Sequence, residues 1–505
     1  MKQEENTKVR TRYAPSPTGF FHIGGARSAL LNYLFAKHYN GTFVFRAEDT
    51  DIDRNVEGGI DVQLNGLEWL GIVPDESPRN PGEFGPYIQS GKFERFKKLA
   101  EKLVEEGKAY YCFCTPEELE NARQEALKNN LPPKYNGKCK TLTKEEIAKK
   151  KASGLKPAIR LAIPENIYFE WNDIVRGKIS VPSSALGDPV ILKSNGIPTY
   201  NFAVVCDDHE MQITHVLRAE EHISNTPYQI AVMYALGYGV KIVEDKYIPE
   251  HLQFGHLSII VDETGKKLSK RNKALKQFIS APEGEESYMD LGYVPQAITN
   301  FIALLGWSPK TNQEIFTLSE LVEQFDETRL NTAPAYFDMK KMNWISGEYL
   351  KKMSDAEYLE FAKPFVKQEL KDVLADKLEL SLLTFKTQIS YCVELNGLLQ
   401  ENFIDVVNLD NVKEVYAANG ITDEEFALIA QTLSNVLKDY PAISVDNTNE
   451  IIEKIKVTSG LKGKKLFLPI RLLAIGKEHG PEMPKILTIV GKEKLQENVN
   501  KYLDK

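Results

Sequence analysis

The sequence has no long apolar run, no apolar leader and few cysteines. No stretch reaches the roughly 18 apolar residues that a membrane-spanning helix needs, so no membrane span and no membrane partner are expected. The first ten residues, MKQEENTKVR, are polar and lack the apolar core of a secretory signal. Five cysteines are a sparse, odd-numbered set, which fits a reducing compartment better than a disulfide scaffold. Together these features predict a cytoplasmic protein.

An excess of basic charge is also missing. The chain has 63 Lys and Arg against 71 Asp and Glu, a net charge of −8, which argues mildly against a nucleic-acid partner. Two segments depart from this average, because residues 264–276 carry six basic residues and residues 454–477 carry seven, both without an acid. Each segment is either a solvated basic face or a site for a polyanion, and the charge pattern leaves both interpretations open.

The N-terminal region lacks the phosphate-binding glycine patterns GxxxxGK[ST] and GxGxxG, although its order of segments suits a ligand held at the start of a helix. Residues 8–14 alternate as a short strand does, PSPTG breaks the chain, and residues 24–39 have a helical spacing that stops at an NG pair. Residues 42–49 follow as an apolar strand. This order is a βαβ unit, which predicts an α/β fold with a parallel sheet.

The tetrapeptide HIGG, residues 22–25, stands at the start of the predicted helix. A helix N-terminus offers N–H donors and a partial positive charge, which suit a phosphate. Gly24 and Gly25 leave the backbone open to a base or phosphate, and His22 can donate a hydrogen bond to a phosphate oxygen. Standing alone, such a tetrapeptide is more often a loop with no ligand.

The composition and periodicity of the rest of the chain change twice. Residues 111–185 are rich in Lys and Glu, hold the β-like pieces AIRLAIP and IYFEWNDIVRGKISV, and are interpreted as an insertion into the sheet domain. Residues 194–222 are interpreted as strand-like runs that end in polar residues, as strands of a parallel sheet do at a ligand site. From about residue 280 the helical period dominates, with caps predicted at Ser354 and Thr422.

Two short motifs are each weak evidence alone, but together they indicate a function. KKLSKR, residues 266–271, is a basic loop that could stabilise charge on a transferring phosphoryl group, and HIGG precedes it in the chain. The pair resembles the two signatures of class I aminoacyl-tRNA synthetases. Six segments narrow the resemblance to the bacterial glutamyl-tRNA synthetase family, in that family's order and over nearly the whole chain. They are RYAPSPTGFFHIGGARSALLNY, FRAEDTD, YNFAVVCDDHEMQITHVLRAEEH, KKLSKR, FDMKKMNW and GLKGKKLFLPIRLLAIG.

The resemblance implies a Rossmann-like parallel-sheet catalytic domain, an inserted α+β acceptor-binding domain and an all-helical anticodon-binding region. The catalytic domain is then expected in two halves around the insertion. The expected boundaries are 1–110 and 198–255 for the catalytic domain, 111–197 for the insertion, 256–335 for a stem-contact region with the KLSKR loop, and 336–505 for the anticodon-binding domain, with two sub-bundles split near 390.

The activity that the resemblance implies is the ligation of glutamate to tRNA. The α-carboxylate of glutamate attacks the α-phosphate of ATP, with Mg²⁺ as cofactor, and a terminal ribose hydroxyl of tRNA-Glu then attacks the adenylate. The products are glutamyl-tRNA, AMP and pyrophosphate. Because members of the family generally need tRNA for the first step, the same is expected here. A monomer is expected, and tRNA-Gln is a second candidate acceptor.

The expected glutamate site follows from the resemblance position by position. Glu48 is expected to hold the ammonium of the substrate, and Arg218 its side-chain carboxylate, which a guanidinium fork suits well. A purely structural ion pair is the alternative role for both residues. The other expected contacts are Arg12, Ala14, Ser16 and Tyr200.

The expected ATP site is shared between the two signatures. His22, Lys267 and Lys270 are the candidate catalytic residues, because they would stabilise charge on the phosphates while positioning supplies much of the remaining rate. The other expected ATP contacts are Gly24, Gly25, Glu221, Ile259 and Ile260. For tRNA, the expected phosphate contacts are Lys462, Lys464 and Lys465.

The chain departs from the family's patterns at two places. Gly25 stands where the first signature often ends in a second histidine. Some relatives bind structural zinc with a Cys-x-Cys…Cys-x-His spacing, and Cys112, Cys114 and Cys139 match three of those positions, but the fourth is Thr141. Because structural zinc sites use four N or S ligands, the sequence favours reduced, metal-free thiols here.

Other functions share parts of this pattern. Small nucleotidyltransferases share a similar helix start but are far shorter and lack the KxSKR loop. A non-catalytic RNA-binding relative would have lost site residues that are present here. Glutaminyl-tRNA synthetases have a β-barrel-like anticodon part, and the paralogue that glutamylates queuosine lacks that part, whereas residues 340–505 have a helical period.

Overall fold

The computed structural model describes most of the chain of 505 residues. The described residues are 8–17, 20–130, 132–268, 278–281 and 286–504. Lys270, one of the three candidate catalytic residues, lies outside them. Among the residues described, no helix combines the length and the apolar character needed to cross a membrane.

Two compact units divide the chain. The first comprises Met1–Tyr288 and Ile298–Met339, and the second comprises Met289–Ala297 and Lys340–Lys505. All strands in the described part of the chain belong to the first unit. In chain order they are β1 (Arg10–Tyr13), β2 (Phe21–His22), β3 (Thr42–Phe45), β4 (Ala109–Cys112), β5 (Ala158–Leu161), β6 (Tyr168–Asp173), β7 (Gly177–Pro182), β8 (Val190–Leu192), β9 (His215–Ala219), β10 (Val240–Val243), β11 (Lys246–Pro249), β12 (Gln253–Leu257), β13 (Ile260–Val261), β14 (Phe278–Ser280) and β15 (Ala335–Tyr336).

Helices occur in both units and make up nearly all regular structure after residue 337. In chain order they are α1 (Ile23–His38), α2 (Gly59–Trp69), α3 (Phe93–Glu105), α4 (Pro116–Lys128), α5 (Lys144–Ala152), α6 (Tyr200–Glu210), α7 (Thr226–Leu236), α8 (Tyr288–Leu291), α9 (Pro295–Ala303), α10 (Leu318–Gln324), α11 (Met339–Lys352), α12 (Asp355–Ala362), α13 (Gln368–Leu374), α14 (Leu378–Phe385), α15 (Glu394–Leu399), α16 (Leu409–Ala418), α17 (Asp423–Leu437), α18 (Val445–Ser459), α19 (Lys464–Ile475) and α20 (Met483–Leu503).

A four-stranded parallel sheet carries the first predicted motif. Its strand order is β12-β9-β1-β3, and β1 pairs with β3 in register from Arg10 opposite Thr42 to Tyr13 opposite Phe45. Helix α1 connects these two strands, so the predicted βαβ unit is confirmed. All four residues of β3 are buried, as is usual for a parallel sheet covered by helices.

The stretch 194–222 is only partly strand. His215–Ala219 forms β9, but Tyr200–Glu210 forms helix α6, so the interpretation of its first apolar run as strand-like was wrong. Every residue from Phe202 to Asp208 is buried. A run that is buried on all sides has no hydrophobic period, and a short one cannot be assigned to helix or strand from its pattern.

The predicted insertion has its own strands, and both of its β-like pieces are confirmed. AIRLAIP supplies β5, the middle strand of the antiparallel sheet β4-β5-β8, and the second piece supplies the β6–β7 hairpin. The hairpin belongs to a sheet of order β10-β11-β6-β7, whose first two strands follow α7 in the chain. The domain boundaries drawn from the sequence stay predictions.

The second unit is helical throughout its described residues, as the sequence predicted. Ser354 and Thr422 are the N-caps of α12 and α17, and each forms a capping box. The cap hydroxyl accepts a hydrogen bond from the backbone N–H of the glutamate three residues later, and the carboxylate of that glutamate accepts one from the cap's own N–H. Both predicted caps are therefore confirmed, and each satisfies two backbone donors that a helix start otherwise leaves unpaired.

Candidate active site

Three predicted substrate residues lie where strands of the parallel sheet end. Arg12 is near the end of β1, Glu48 follows β3 by three residues, and Arg218 is the next-to-last residue of β9. Because these strands are parallel, their carboxyl ends lie at one edge of the sheet, where α/β proteins bind ligands. The fold therefore brings together residues that are some 200 positions apart in the chain.

Arg12 and Glu48 are tied to each other through two further charged residues. Arg12 donates to Asp208 from Nε at 3.0 Å and from Nη2 at 3.3 Å. Arg46 Nη1 donates to the same carboxylate at 2.8 Å, while its Nη2 donates to Glu48 Oε1 at 2.9 Å. All four residues are buried. Arg12 Nη1 makes no hydrogen bond with any residue that the structure describes, so this end of the fork can meet a substrate oxygen.

The charge network continues on the other side of Arg46. Its Nε lies 3.6 Å from Asp207 Oδ2, and Asp207 accepts hydrogen bonds of 2.9 Å from both Lys92 and Gln89. A buried charge is costly unless opposite charges and hydrogen bonds compensate it. The alternation of cations and anions here provides that compensation, and it fixes the side chains in one arrangement.

Burial and neighbouring charges compete in setting the carboxyl pKa values of the network. Burial raises the pKa of Asp208, but Arg12 and Arg46 outweigh it and hold the pKa below its ordinary value. For Glu48 burial prevails over Arg46 and the pKa is raised. Glu48 therefore has the weaker compensation of the two, and an ammonium group beside it would stabilise its charge.

Arg218 is held by a second buried cluster. Its Nε donates to His256 Nε2 at 3.2 Å and its Nη2 donates to Thr226 Oγ1 at 2.8 Å. The opposite nitrogen of the imidazole, Nδ1, lies in short hydrogen-bonding contact with the Asp173 carboxylate. The proton is therefore on Nδ1, and Nε2 is the acceptor for Arg218. Burial lowers the pKa of His256 against the opposing effect of Asp173, which favours the neutral ring.

Tyr200 lies between the two clusters. Its hydroxyl is 3.5 Å from Arg218 Nη1, and its ring is tilted against His222 with centroids 5.6 Å apart. Burial raises the pKa of Tyr200, Arg218 opposes this, and the Glu48 charge adds to it. The predicted glutamate residues Arg12, Glu48, Tyr200 and Arg218 are thus all brought together. Ala14 is half-buried and Ser16 is exposed in the turn after β1.

His22 is the N-cap of α1. Its Nδ1 accepts a hydrogen bond of 3.0 Å from the N–H of Gly24. A neutral imidazole that accepts at Nδ1 carries its proton on Nε2, which gives the helix start one more N–H donor. This tautomer is compatible with donation from His22 to an anion, and the predicted role at the phosphates stays a prediction.

Gly25 packs against the hydroxyl of Tyr13. A Cβ built at Gly25 would lie 2.5 Å from Tyr13 Oη, a distance that real side chains essentially never show. The same hydroxyl donates to Gln63 Oε1 at 3.2 Å, so it is held in place. A side chain at position 25 would therefore have to displace Tyr13, which agrees with the glycine that stands there in place of a second histidine.

Replacing Gly25 by alanine is expected to destabilise the protein by about 1–3 kcal/mol, because the added methyl group overpacks the contact with Tyr13. Urea unfolding measures this loss. The double variant Gly25→Ala, Tyr13→Phe should recover most of it, since the phenyl ring lacks the clashing oxygen. Gly397→Ala is the matched control, because its Cβ would meet nothing within 4 Å inside helix α15. A single variant as stable as the control would contradict the packing argument.

The other predicted ATP residues lie along β13 and the segments beside it. Lys267 forms an ion pair with Glu221, which is another predicted ATP contact. The N–H of Leu268 donates to the carbonyl of Ile260 at 3.0 Å, and the N–H of Ala335 donates to the carbonyl of Ile259 at 2.9 Å. Glu221 and Lys267 are both exposed, so their ion pair contributes little to stability and a phosphate can compete for the lysine.

The three C-terminal lysines predicted for tRNA differ in their surroundings. Lys464 pairs with Glu478 at 3.3 Å, and Lys465 pairs with Glu425. Lys462 is exposed and makes no ion pair with a described residue. An RNA phosphate would have to replace a carboxylate at Lys464 and Lys465, whereas Lys462 needs no such exchange.

The three cysteines of the predicted insertion converge. The sulfur atoms of Cys112, Cys114 and Cys139 all lie within 4.8 Å of one another, and those of Cys114 and Cys139 are 3.6 Å apart. Thr141, at the fourth position of the zinc-like spacing, is exposed. Cys206 and Cys392 are buried in apolar surroundings elsewhere.

Sequence reasoning missed the residues that hold the site together. Arg46 and Asp208 lie inside motifs that were quoted for other residues, and His256 and Asp173 lie in stretches that carried no motif. One signal was present in the sequence, the pair Asp207 and Asp208 at the end of an apolar run. If that run is buried, the charges of both aspartates need cationic or hydrogen-bonding partners. Nothing in the sequence pointed to their partners, because those lie in distant segments of the chain.

Two family profiles together match nearly the whole chain. The profile of the class I tRNA synthetases (E and Q), catalytic domain, matches residues 8–344. The profile of an anticodon binding domain matches residues 309–503. The two matches follow the order expected from the sequence.

Individual proteins are similar over the same extent. The glutamate–tRNA ligase of Malacoplasma penetrans is 49% identical over 500 residues, which cover 99% of each chain. That of Mycoplasmoides gallisepticum is 46% identical over 503 residues, 98% of each. The crystal structure of a glutamate tRNA ligase from Elizabethkingia meningosepticum, in complex with its amino acid, is 32% identical with a TM-score of 0.85, over 98% of this chain and 99% of that one. The chain therefore belongs to the family of class I tRNA synthetases (E and Q).

Proposed function

We propose that this protein is a glutamate–tRNA ligase, which activates L-glutamate with ATP and transfers it to the 3′-terminal adenosine of tRNA-Glu. The observation that carries the proposal is the convergence of Arg12, Glu48 and Arg218 at one edge of the parallel sheet. These groups offer two cationic forks and one anion, which is the complement of an amino acid with a carboxylate side chain. AMP and pyrophosphate are the other products.

Glutamate recognition divides between the two buried clusters. Arg218 binds the side-chain carboxylate, with Tyr200 beside it, and its hydrogen bonds to His256 and Thr226 fix the orientation of the guanidinium plane. Glu48 binds the ammonium, and Arg12 binds a substrate oxygen through Nη1. Ala14 and Ser16 line the turn that follows Arg12. Because the cluster is assembled before the substrate arrives, little reorganisation is needed at the moment of reaction.

ATP binds at the start of α1. The phosphates meet the helix N-terminus and the Nε2–H of His22, while the backbone at Gly24 and Gly25 admits the nucleotide closely. Lys267 exchanges Glu221 for a phosphate, and Lys270 is the second lysine proposed to contact the phosphates. The segment at Ile259 and Ile260 frames the adenine. Mg²⁺ carried on the phosphates of the substrate neutralises part of their charge.

Transfer to tRNA involves the remaining regions. We assign the acceptor end to the insertion at 111–197, the stem to 256–335 and the anticodon to 336–505, with Lys462, Lys464 and Lys465 as phosphate contacts. Specificity would come from groups that read splayed anticodon bases. The protein acts as a monomer in the cytoplasm. Because tRNA-Gln is the second candidate acceptor, purified tRNA-Glu and tRNA-Gln should be charged side by side.

Exchange of labelled pyrophosphate into ATP tests the proposed function. We expect exchange with glutamate, none with glutamine, and none with either amino acid when tRNA is left out. The reason for the amino-acid preference is that glutamine would leave the Arg218 charge uncompensated. Exchange without tRNA, or a preference for glutamine, would contradict the proposal.

A further inference from the structure

Arg27 is a buried cation in helix α1 that hydrogen-bonds to neither cluster of the glutamate site. It lies three residues after Gly24, and only 3% of the residue is exposed. Its Nε makes no hydrogen bond with any residue that the structure describes. Because burying a charge costs free energy that hydrogen bonds and opposite charges must offset, this placement indicates a role for the guanidinium beyond filling space.

The guanidinium joins α1 to two segments that are distant in the chain. Its Nη2 lies in short hydrogen-bonding contact with the carbonyl oxygen of Ser258, and its Nη1 donates to the carbonyl oxygen of Leu305 at 3.4 Å. Ser258 lies between strands β12 and β13, and Leu305 follows helix α9 by two residues. Since one rigid, planar group makes both bonds, it fixes the positions of both carbonyls relative to the helix.

Neither acceptor is a carboxylate. Burial lowers the pKa of Arg27 to about 10, with the charge of Glu220 opposing the shift, so the group stays cationic at neutral pH. Arg27 forms no ion pair with a residue in the described ranges, unlike the buried Arg12 and Arg46, which share Asp208. A contribution to stability alone does not account for a charge that is compensated so weakly. The contacts of Arg27 are better explained by the geometry that they impose.

The segment after Ser258 holds several of the predicted ATP residues. Ile259 and Ile260 follow it directly. Val261, in the same strand as Ile260, forms an isolated β-bridge with Lys267. A displacement of Ser258 would thus move the proposed adenine frame and the lysine together.

From these contacts we propose that Arg27 is a positioning residue for ATP. It sets the distance between the start of α1, where the phosphates bind, and the segment at 259–267, which meets the adenine and supplies Lys267. This role rests on the proposed function, because it requires ATP to span the two segments. A reactant that must meet two segments at once is sensitive to their separation, and a misplacement of about 1 Å can cost about 100-fold in rate.

The glutamate site is held independently of Arg27. Strand β12 pairs with β9 so that His256 lies opposite Arg218, and a hydrogen bond joins their side chains. Asp173 and Thr226 support this pair from other segments. Loss of Arg27 should therefore affect ATP and leave glutamate recognition nearly unchanged, a division that a general loss of structure would not produce.

Binding and kinetics of Arg27→Met test this role. Methionine has a similar length but donates no hydrogen bond, so the segment at Ser258 loses its tie to α1. In the full-length protein with Mg²⁺, the Kd of ATP by calorimetry and the KM for ATP in aminoacylation should both rise by about 10- to 100-fold, while KM for glutamate changes by less than about twofold. Arg27→Lys keeps the charge and can donate to one carbonyl, so it should recover part of the loss.

Arg10→Met is the matched control, at a second buried arginine of the same unit. The Arg10 side chain donates to the carbonyl of Met211 at 2.8 Å and pairs with Glu76 at 2.9 Å, and it hydrogen-bonds to neither Ser258 nor Leu305. Its loss should lower the urea midpoint of unfolding, because it leaves Glu76 without its cation. The KM for ATP should stay unchanged at temperatures where this variant is folded.

Four outcomes would contradict one of the two proposals. Unchanged Kd and KM for ATP in Arg27→Met would overturn the positioning role, as would equal rises of KM for ATP and glutamate, or an equal rise of KM for ATP in Arg10→Met. If Arg27→Met does not fold, Arg27→Lys carries the same comparison, since loss of the fork should raise KM for ATP alone. An unmodified protein that binds ATP but shows no exchange with glutamate would contradict the proposed function, and calorimetry would still decide the role of Arg27.

Discussion

Arg218→Gln is expected to lower kcat/KM for glutamate by about 100- to 1,000-fold, because removing one partner of a buried charge pair costs about 3–4 kcal/mol. Arg218 is buried and contributes the fork that we assign to the side-chain carboxylate of the substrate. The loss should appear mainly in KM for glutamate. KM for ATP should change little, because the proposed phosphate contacts lie at the start of α1 and at Lys267.

Steady-state aminoacylation kinetics, with glutamate and ATP varied in turn, measure the two KM values separately. The matched control is Arg123→Gln, at an exposed arginine of α4 that pairs with Glu120 among the described residues, and it should behave like the unmodified protein. Equal losses for both substrates in Arg218→Gln would indicate a general structural role instead. Loss of activity together with a lowered unfolding midpoint would indicate the same.

His256→Gln extends this test to the group that orients Arg218. The imidazole accepts from Arg218 Nε while its other nitrogen contacts Asp173, so removing the ring takes away one of the hydrogen bonds that orient the guanidinium and leaves the one to Thr226. We expect a smaller rise in KM for glutamate than in Arg218→Gln, of about tenfold, since the charge remains and only its positioning is lost. The double variant should be no worse than Arg218→Gln alone. Additive losses would show that His256 acts independently of Arg218.

Asp208→Asn is expected to lower the free energy of unfolding by about 3–5 kcal/mol, because it leaves the buried charges of Arg12 and Arg46 without their shared anion. Asparagine has the same shape, so lost packing does not explain the effect. Arg12 would also lose its orientation, and KM for glutamate should rise at temperatures where the variant is still folded. Denaturant unfolding and steady-state kinetics measure the two effects.

The pH dependence of stability separates the contribution of the Asp208 charge from that of its hydrogen bonds. Arg12 and Arg46 hold the pKa of Asp208 below its usual value, so its contribution is present above that value and is lost as the pH falls through the folded-state pKa. The unmodified protein should therefore lose more stability than Asp208→Asn between about pH 5 and pH 2. Asp61→Asn, at an exposed ion pair with Arg79, is the control and should follow the unmodified protein. Parallel curves for Asp208→Asn and the unmodified protein would contradict the argument.

The sequence was most informative where function is carried by short, contiguous segments. HIGG predicted a helix start, and the structure has His22 as the cap of α1. The βαβ order and the helical C-terminal half were also correct, because they depend on local periodicity and caps. The run NFAVVC was assigned wrongly, since a helix that is buried on every side has the same composition as a buried strand.

By itself, then, the sequence determined the type of fold and the family, and it predicted residues whose chemistry suits glutamate and ATP. Only the tertiary structure decided how those residues are held. It places Asp208 between Arg12 and Arg46, and His256 behind Arg218. The physical reason is that a charge or a ligand is positioned by partners across the fold, and such pairings over long sequence distances leave no periodic trace in the chain.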